Sequence, residues 1–464
     1  MIDAFNEDTI VAISTPPGEG GVGIVRLSGV CAIEIAAHLF VSSRGRDIQK
    51  EKQRVFHGHV YDSDGHTLDE VLLHVMAAPH SYTAEDVVEI NAHGGRVPLR
   101  AILDECLALG ARLARPGEFT RRAFVNGRMD LSRAESVIDL IHAQTRAALS
   151  AANVAADGAL SQALYELRDI LADALARIEA AVDFPEEDLP ELVDDALLDG
   201  LRRAHKRMVE LVATADTGIL YREGVSLAIV GKPNVGKSSL FNALLRDTRA
   251  IVSAQPGTTR DRLEETITLE GIPARLIDTA GMRNTEDEVE SIGVERARNA
   301  AQQAGMILFM VDASAPYSKE DALIAEELSS LEIPVMLLRN KVDLMNEMDT
   351  VPGGDSLPLE HFSSCNISAK TGAGLHELEH RLATTLLGNT ACSVDAPMLF
   401  RAHQKDSMRR GAVSLARLLD NTTLSPEFLA VDLREALHAI GEITGETTPE
   451  DVLDRIFSSF CIGK

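Results

Sequence analysis

The stretch VSLAIVGKPNVGKS, residues 225–238, decides the fold of the middle third of this chain. Its first six residues are mostly apolar, as expected of a parallel strand that is buried on both faces. Its last eight match the pattern G-x-x-x-x-G-K-S and directly follow that strand, which is the context of a phosphate-binding loop. Gly231 and Gly236 let backbone N–H groups wrap the phosphates. Lys237 offers a positive charge and Ser238 a hydroxyl for Mg²⁺.

Strand-like and helix-like segments alternate after this loop. Apolar runs typical of buried strands occur at Arg275–Ile277, Met306–Val311 and Val335–Leu338, with helical periodicity between them. Such alternation predicts a doubly wound α/β domain. We place this domain at residues 224–386.

Four shorter motifs follow the loop in the order expected of a guanine-nucleotide site: GTTRD at 257–261, DTAG at 278–281, NKVD at 340–343 and SAK at 368–370. Asp343 is placed to accept two hydrogen bonds from guanine that adenine cannot donate, and an unpaired buried carboxylate is costly. Asp278 is expected to bind Mg²⁺ through water, and Thr259 to join Ser238 as a Mg²⁺ hydroxyl ligand. These motifs outweigh the alternative of a glycine-rich turn that matches by chance. The predicted GTP-binding residues are Asn234, Val235, Gly236, Lys237, Ser238, Ser239, Ser253, Ala254, Gln255, Pro256, Gly257, Thr258, Thr259, Asp278, Thr279, Ala280, Gly281, Asn340, Lys341, Asp343, Ser368, Ala369 and Lys370.

The residue after DTAG departs from a common pattern. Many GTPases place glutamine there to orient the attacking water, and Met282 cannot do so. Another polar group must therefore position the water. The acidic stretch at 286–290 lies just downstream, although a solvated loop is the alternative interpretation.

The flanking regions have other patterns. Residues 1–127 alternate short apolar runs with Gly/Pro loops, which predicts a mixed α/β domain. Strand candidates are Thr9–Ser14, Gly23–Leu27, Val71–Met76 and Val87–Ile90, and Val97–Leu109 has helical spacing. Residues 128–223 and 387–464 carry apolar residues every three or four positions, including one stretch from Leu131 to Thr145. We predict a multidomain α/β plus α protein, in which the P-loop domain is inserted between two parts of a helical bundle domain.

Composition narrows the classes of function. The chain has 464 residues, enough for several cores, and a formal net charge of −26. Such a charge repels phosphate backbones and excludes a general nucleic-acid binder, so any RNA contact needs a local basic patch. Five widely spaced cysteines without a CxxC pair indicate reduced thiols. The acidic start MIDAFNED and the shortness of the apolar run at 306–311 predict a cytoplasmic protein without a membrane span.

Together the motifs resemble those of the tRNA-modification GTPase MnmE (TrmE) family. GKPNVGKSS, GTTRD, DTAGMR, NKVD and SAK lie in one inserted domain, and the chain ends in CIGK, similar to the family's C-x-G-K. TPPGEGGVGIVRLSG and RPGEFTRRAFVNGRMDL resemble the family's first domain. The resemblance covers essentially the whole chain. It implies an N-terminal domain for homodimerisation and folate binding, a helical domain and an inserted G domain.

The resemblance also implies that potassium activates GTP hydrolysis when two G domains meet across Mg²⁺–GTP. Asn234 matches a potassium-ligating asparagine, and further oxygens would come from Ser253, Gln255 and Thr258. Ser253 stands where some members have threonine, so its carbonyl is the expected ligand. Oxygen ligands beside the phosphates hold a cation where negative charge develops.

Catalytic residues and partners are implied in the same way. Glu290 aligns with the glutamate that orients the water through a bridging water, and Arg283 is expected to steady that switch. The implied partner is a flavin-dependent protein, MnmG (GidA), in a heterotetramer or a larger complex. The implied substrate is tRNA, which receives a carboxymethylaminomethyl-type group at carbon 5 of the wobble uridine.

A further implication is a 5-formyltetrahydrofolate-type one-carbon donor in the first domain. Arg26, Glu89 and Lys464 fall at matching positions, and Arg128 stands where lysine is expected, which keeps the charge but changes the donor geometry. A carboxylate such as Glu89 can bind the amidine edge of a pterin with two hydrogen bonds, and cations suit the glutamate tail. Without the resemblance, a surface ion pair is the simpler interpretation of Arg26 or Glu89.

Two features have open alternatives. Cys461 is either a catalytic nucleophile or acid near the folate, or a small packed residue. A basic run either meets tRNA phosphates or the folate tail, or pairs with the protein's own carboxylates. This run consists of Arg112, Arg115, Arg121, Arg122, Arg128 and Arg133.

Two other functions compete with this one. A nucleotide-dependent assembly switch, such as a ribosome-maturation GTPase, usually carries a basic RNA-binding domain, whereas the flanking regions here are acidic and helical. A folate-dependent transferase with a vestigial G domain is disfavoured by the complete motif set.

Overall fold

The computed structural model describes residues 8–183, 194–248, 265–277, 304–331, 333–345, 362–388, 393–421 and 425–464. Its strands are β1 (Ile10–Ile13), β2 (Gly20–Ser28), β3 (Phe40–Ser42), β4 (Arg54–Tyr61), β5 (Thr67–Met76), β6 (Val87–Gly94), β7 (Arg112–Leu113), β8 (Val225–Val230), β9 (Glu265–Leu269), β10 (Ile272–Ile277), β11 (Met306–Asp312), β12 (Val335–Asn340) and β13 (Ser363–Asn366). Its helices are α1 (Ala32–Leu39), α2 (Arg96–Ala108), α3 (Glu118–Val125), α4 (Leu131–His142), α5 (Arg146–Ala156), α6 (Ala159–Asp183), α7 (Asp195–Glu223), α8 (Lys237–Thr248), α9 (Lys319–Ser329), α10 (Leu375–Leu387), α11 (Ala402–Asp420), α12 (Pro426–Thr444) and α13 (Glu450–Ser458).

The chain forms two compact units. The first comprises Met1–Ile138, Leu164–Arg168 and Leu437–Lys464. The second comprises Asp139–Ala163 and Asp169–Ala436. No helix in the described part is long and apolar enough to cross a membrane.

A mixed sheet is the centre of the first unit, with strand order β3-β4-β5-β6-β2-β1-β7 among the described residues. All its pairs are antiparallel except β1 with β7. Along β5, Val71, Leu73 and Val75 alternate with more exposed residues and are buried in the core. Burying each of them stabilises the fold by roughly 1.5–3 kcal/mol. Residues of α1 and α2 belong to the same core, so both helices cover one face of the sheet.

The predicted strands of this unit are confirmed with small shifts of their ends, and so is the helix at α2. The sequence analysis missed α1, β3 and β4. In β4, Phe56, Gly58 and Val60 face the core, whereas His57 and His59 lie between them. The two histidines and the glycine interrupt the alternation of apolar and polar residues by which a strand is recognised, so the sequence pattern did not indicate β4.

Two arginines of the basic run, Arg112 and Arg122, form ion pairs in one cluster of carboxylates. Arg122 is 3% exposed and contacts Asp8, Glu85 and Glu118. Arg112 binds Glu118 at 2.6 Å and Asp8 at 2.7 Å. These contacts favour the second of the two alternatives for these arginines, namely pairing with the protein's own carboxylates.

Arg121 is engaged in the same way. It pairs with Glu450 and, at 2.9 Å, with Asp454, both on α13. The three arginines Arg112, Arg121 and Arg122 therefore serve the fold of the first unit. Their charges are largely compensated before any phosphate could approach.

Glu118 should make a stability contribution that depends on pH. Burial alone would raise its pKa, but the hydrogen bonds from the Arg112 side chain and the Arg115 N–H outweigh burial and leave the pKa below its ordinary value of 4.5. A lowered folded-state pKa stabilises above the unfolded-state pKa, and this contribution disappears as the pH falls through the folded-state value. We expect Glu118→Gln to lower the free energy of unfolding by roughly 1.5–3 kcal/mol at neutral pH.

Urea denaturation near neutral pH and well below 4.5 measures this effect. The gap between the wild type and Glu118→Gln should be full at neutral pH and should shrink on acidification. The control is Glu51→Gln, since Glu51 pairs with Arg54 at 2.7 Å on the exposed surface, where ion pairs contribute little. An equal gap at both pH values would contradict the assignment.

A second sheet, with strand order β13-β12-β11-β8-β10-β9, is the centre of the second unit. Its described strands are parallel except for β9, which pairs antiparallel with β10. Residues of α8 and α10 lie in the core on one face, and residues of α9 in the core on the other. The doubly wound arrangement predicted for this part of the chain is therefore confirmed. The edge strands β9 and β13 were not predicted. The polar–apolar alternation of β9 is typical of a strand but extends over only five residues, and β13 is short and polar.

The helix predicted to continue to Thr145 ends earlier. α4 stops at His142, and Thr145 instead caps the next helix, α5, by accepting a hydrogen bond from the Ala148 N–H at 3.1 Å. A threonine hydroxyl satisfies a free N–H of the first helical turn. Spacing alone could not show this break, since the capping residue falls on the apolar period.

Helices on either side of the nucleotide sheet pack together, because α7 before it lies against α11 after it. The Thr214 hydroxyl of α7 accepts a hydrogen bond from the Leu399 N–H at 3.2 Å. Asp139 binds both Arg222, just before β8, and Arg401, just before α11, at 3.0 Å each. The carboxylate of Asp139 thus binds both the segment that precedes the nucleotide sheet in the sequence and the segment that follows it.

Candidate functional site

The phosphate-binding loop connects β8 to α8 in a conformation that needs its glycines. Gly236 has φ 106°, and a Cβ there would lie 2.3 Å from the Nδ2 atom of Asn340. A Cβ on Gly231 would lie 2.3 Å from the Met310 carbonyl oxygen. Asn234 is exposed and has φ 64°, a left-handed conformation that asparagine tolerates better than most residues. The loop therefore lies too close to its neighbours for a side chain at Gly231 or Gly236.

Lys237 lies over this loop. Its Nζ atom donates hydrogen bonds to the carbonyl oxygens of Gly231 at 2.7 Å and Lys232 at 2.8 Å. Ser238 and Ser239 follow in the first turn of α8 and are exposed. The N-terminal end of a helix carries free N–H groups and a partial positive charge, so the position suits an anion.

Asn340 joins the loop to the opposite side of the site. Its side chain is 3% exposed; Nδ2 donates to the Val235 carbonyl at 2.7 Å, and Oδ1 accepts from the Ala369 N–H at 2.9 Å. The predicted motifs at 231–238, 340–343 and 368–370 are thereby brought into contact. Each lies after a strand, at the end of a parallel sheet where ligands bind in doubly wound folds.

Asp343 is exposed and oriented by a buried hydroxyl. Ser368 donates from Oγ to Oδ1 of Asp343 at 2.6 Å. Nearby, Lys341 has φ 68° and pairs with Asp312 at 2.6 Å. Burial would raise the pKa of Asp312, but the hydrogen bonds from Lys341 and Ser314 lower it below its ordinary value. The sequence analysis missed Asp312, although its place as the last residue of an apolar strand was a usable signal.

A cavity of about 410 Å³ opens between these loops. It is lined by Gly236, Ser239, Asn242, Ala243, Arg246, Asn340, Lys341, Asp343, Leu344, Ser368, Ala369 and Lys370. Eight of these twelve residues were predicted to bind nucleotide. The other four come from α8 and the turn after β12, which no motif marked.

Part of the predicted site lies outside the described residues. This part consists of Ser253, Ala254, Gln255, Pro256, Gly257, Thr258, Thr259, Asp278, Thr279, Ala280, Gly281, Arg283 and Glu290. The predicted Mg²⁺ ligand that the structure does describe is Ser238, whose exposed hydroxyl follows the phosphate-binding loop. A hard oxygen donor at this place fits Mg²⁺.

Gly236 provides a direct test of this geometry. Gly236→Ala should weaken GDP binding by at least about tenfold, because the new Cβ must displace the Asn340 amide and the positive φ costs on the order of 1–3 kcal/mol. The measurement is the dissociation constant of a fluorescent GDP analogue. The control is Gly372→Ala, which also has a positive φ but open space around its Cβ. Equal affinities of both variants and the wild type would contradict the close approach.

A second cluster of predicted residues lies in the first unit. Arg26 of β2 and Glu89 of β6 are direct partners across adjacent strands, and Glu89 Oε1 accepts from Nε of Arg26 at 2.8 Å. The same guanidinium donates to the Gly463 carbonyl at 2.9 Å. The strand β2 is thereby tied to the C-terminal CIGK segment.

Aromatic and basic groups surround this pair. The guanidinium of Arg26 lies 5.8 Å from the centre of the Tyr82 ring, and that of Arg128 lies 5.1 Å from it. Burial lowers the pKa of the Lys464 ammonium below its ordinary value, and the charge of Arg26 lowers it further. The structure thus brings together the four predicted folate-binding residues. Tyr82 is an additional member, which no sequence motif indicated.

Cys461 lies on the same C-terminal segment and is exposed. Its carbonyl oxygen accepts hydrogen bonds from the N–H groups of Gly117 at 3.4 Å and Lys464 at 3.3 Å. The backbone of the segment is therefore fixed while the thiol is accessible. Exposure disfavours the alternative of a small packed residue.

The strand–loop–helix cradle, the lysine at the start of α8 that donates to the loop carbonyls, and the asparagine and aspartate of the NKVD motif define a P-loop guanine-nucleotide-binding protein. A family model described as "MnmE helical domain" matches residues 131–461, and one described as "GTP-binding protein TrmE N-terminus" matches residues 9–128.

Several relatives are similar over their whole length and are described as "tRNA modification GTPase MnmE". The one from Alkaliphilus oremlandii (strain OhILAs) is 43% identical over 467 residues, covering 99% of this chain and 100% of the relative. Those from Geobacter sulfurreducens (strain ATCC 51573 / DSM 12127 / PCA) and Chloroflexus aurantiacus (strain ATCC 29366 / DSM 635 / J-10-fl) are 46% identical, covering 99% and 98% of this chain and all of each relative. The chain belongs to the tRNA modification GTPase MnmE family. It is a GTP-hydrolysing enzyme of tRNA modification with a multidomain fold and a P-loop GTPase domain, and the family implies GTP and Mg²⁺ at its nucleotide site.

Proposed function

We propose that this chain is a potassium-activated GTPase that acts with a flavoprotein partner and a one-carbon folate. The product would be a carboxymethylaminomethyl-type group at carbon 5 of the wobble uridine of certain tRNAs. One observation supports the proposal most strongly: the chain has both a guanine-nucleotide cradle and a separate cluster of Arg26, Glu89, Arg128 and Lys464 around an aromatic ring. A simple nucleotide switch has no need of the second cluster.

Potassium activation rests on Asn234. This residue is exposed in the phosphate-binding loop, with the left-handed φ of 64°, and its amide oxygen is a suitable ligand for a cation beside the phosphates. The proposed further ligands are Ser253, Gln255 and Thr258. A potassium ion held there would supply positive charge where negative charge develops in the transition state.

The proposed catalytic groups for hydrolysis are Glu290, which would orient the attacking water through a second water, and Arg283, which would steady the switch. Met282 has no group for this task. Thr259 would join Ser238 at the Mg²⁺. Two G domains of a homodimer would meet across the nucleotides and complete both sites.

Steady-state GTP hydrolysis in potassium and in sodium buffer at equal ionic strength tests the potassium proposal. We expect a rate at least about tenfold higher in potassium, because a positioned charge at the transferring phosphoryl group contributes several kcal/mol. Asn234→Ala should remove most of this difference. Its control is Asn421→Ala, which lies on the surface at the end of α11 and should keep the potassium preference.

Equal wild-type rates in the two buffers would contradict the role of Asn234. The assignment as a GTPase would not change with that result. It would instead favour the alternative of a nucleotide-dependent assembly switch.

The folate proposal rests on the second cluster. A pterin ring could stack on Tyr82, and its amidine edge could donate to Glu89, whose Oε1 at present accepts from Arg26. Arg128 and Lys464 supply cations suited to a glutamate tail, and since burial lowers the pKa of the Lys464 ammonium, an anionic partner there would stabilise its charged form. The donor set therefore fits the group, which would supply a one-carbon unit. Cys461, exposed on the same segment, is the proposed residue for acid or nucleophilic chemistry.

Glu89→Gln should weaken the binding of 5-formyltetrahydrofolate by about 10- to 100-fold, because one amide oxygen cannot replace a carboxylate that accepts two charge-assisted hydrogen bonds. Calorimetric titration measures the dissociation constant. The control is Glu377→Gln, since Glu377 pairs with Arg381 at 2.6 Å on the surface of α10. Folate affinity that is unchanged in Glu89→Gln would contradict the site.

The proposed assembly is a homodimer through the N-terminal domain, joined by flavin-dependent MnmG (GidA) in a heterotetramer or a larger complex. We also propose the domain boundaries at 1–127, 128–223, 224–386 and 387–464. Since Arg112, Arg121 and Arg122 are engaged in ion pairs, tRNA would dock on other surfaces of the dimer or of its partner.

A further inference from the structure

The phosphate-binding loop is held on its N-terminal side by Lys232 and Asp321, to which no nucleotide motif assigns a role. Lys232 is the variable position directly after Gly231. Its Nζ atom lies 2.6 Å from Oδ2 of Asp321 and 3.3 Å from Oγ of Ser318. Asp321 is 1% exposed, so this carboxylate lies inside the protein and Lys232 reaches in to neutralise it.

Asp321 itself is held rigidly. It stands in the first turn of α9, where its Oδ2 accepts from the N–H of Ser318 at 2.8 Å and from the hydroxyl of Ser318 at 2.7 Å. The Ser318 hydroxyl in turn accepts from the Asp321 N–H, which completes a capping box. A carboxylate in the first turn of a helix is also favoured by the helix dipole. The other oxygen, Oδ1, is buried without a hydrogen-bond partner among the described residues. Within that part of the chain, Lys232 is the cation that pairs with this carboxylate.

The backbone of Lys232 connects this anchor to the nucleotide site. Its carbonyl oxygen accepts from Nζ of Lys237 at 2.8 Å, next to the Gly231 carbonyl at 2.7 Å. The side chain of Lys232 thus fixes the peptide group that positions the lysine of the phosphate-binding motif. At the other end of the loop, Asn340 holds the Val235 carbonyl at 2.7 Å.

We propose that Lys232 and Asp321 are positioning residues for nucleotide binding, which hold the phosphate-binding loop in its binding conformation from its N-terminal side. The loop has left-handed residues at Asn234 and Gly236 and would relax without an anchor at each end. An ordered loop reduces the entropy that binding must otherwise overcome. The pair acts on the shared diphosphate site, so it affects GTP and GDP alike and leaves the hydrolytic step largely unchanged.

The full-length variants Lys232→Met, Asp321→Asn and Lys232→Met/Asp321→Asn test this role. We expect each single variant to raise the dissociation constants of GDP and of a non-hydrolysable GTP analogue by about tenfold. The KM for GTP should rise by a similar factor, and kcat should change by less than about threefold, the pattern for lost ground-state binding. The double variant should bind no more weakly than Lys232→Met, because both changes remove one interaction. Lys232→Arg, which keeps the charge, should recover most of the affinity.

Lys405→Met is the matched control. Lys405 pairs with Asp216 at the same distance of 2.6 Å, but on the exposed surface of the helices, and its loss should leave nucleotide binding unchanged. A residue of purely structural importance would lower the melting temperature without raising the dissociation constant of the folded protein. Dissociation constants in Lys232→Met and Asp321→Asn within about twofold of those of Lys405→Met would therefore overturn the proposal, whatever the melting temperatures. If Lys232→Met does not fold, the same criterion applies to Asp321→Asn and its difference from Lys405→Met.

Discussion

The side-chain amide of Asn340 is the interaction on which the nucleotide site depends. Strand β8 leads to the phosphate-binding loop, and strand β12 leads to the NKVD motif. Because β11 lies between these two strands in the sheet, no backbone hydrogen bond of the sheet joins the two segments. A side chain must join them instead, and the amide donates to Val235 on one side and accepts from Ala369 on the other. Removing either partner would leave a buried polar group unpaired, at a cost of about 1–3 kcal/mol.

The space around Asn340 explains why the loop needs glycine so close by. The amide is 2.3 Å from where a Cβ of Gly236 would stand, so the bridge and the glycine are parts of one arrangement. Lys232 and Asp321 hold the other end of the loop against α9. The phosphate-binding loop, which contains left-handed residues, is thereby kept in one conformation by contacts with Asn340 at one end and with Asp321 at the other. These contacts also keep Lys237 over the loop. This is the kind of preorganisation that charged ligands require.

The first unit uses its charges differently. In a chain with a net charge of −26 carboxylates are plentiful, and in this unit Arg112 and Arg122 are bound to them in a cluster with Asp8, Glu85 and Glu118. The Arg26–Glu89 pair is distinct because it also binds the backbone of Gly463 and lies by an aromatic ring. One pair thus connects the sheet, the C-terminal segment and a surface suited to a flat, polar ligand. An ion pair with such additional partners is a better indication of a site than an isolated surface pair.

The sequence by itself determined the nucleotide class, the family and the buried strands of the second sheet, because these depend on local patterns: glycines at fixed spacing, a lysine and serine after them, and apolar runs of strand length. Local patterns also indicated the motif residues Asn340, Asp343, Ser368 and Ala369, which the structure brings together. Tertiary structure alone decided which residues without a motif join the sites. Asp321, Asp312 and Tyr82 are distant in sequence from the groups they contact, and the weakly patterned strand β4 was recognisable only through its neighbours. The end of helix α4 before Thr145 and the pairing of Arg122 with carboxylates within the fold were also decided by the tertiary structure. Hydrogen bonds and ion pairs depend on distances in space, which the spacing of residues in the sequence does not give.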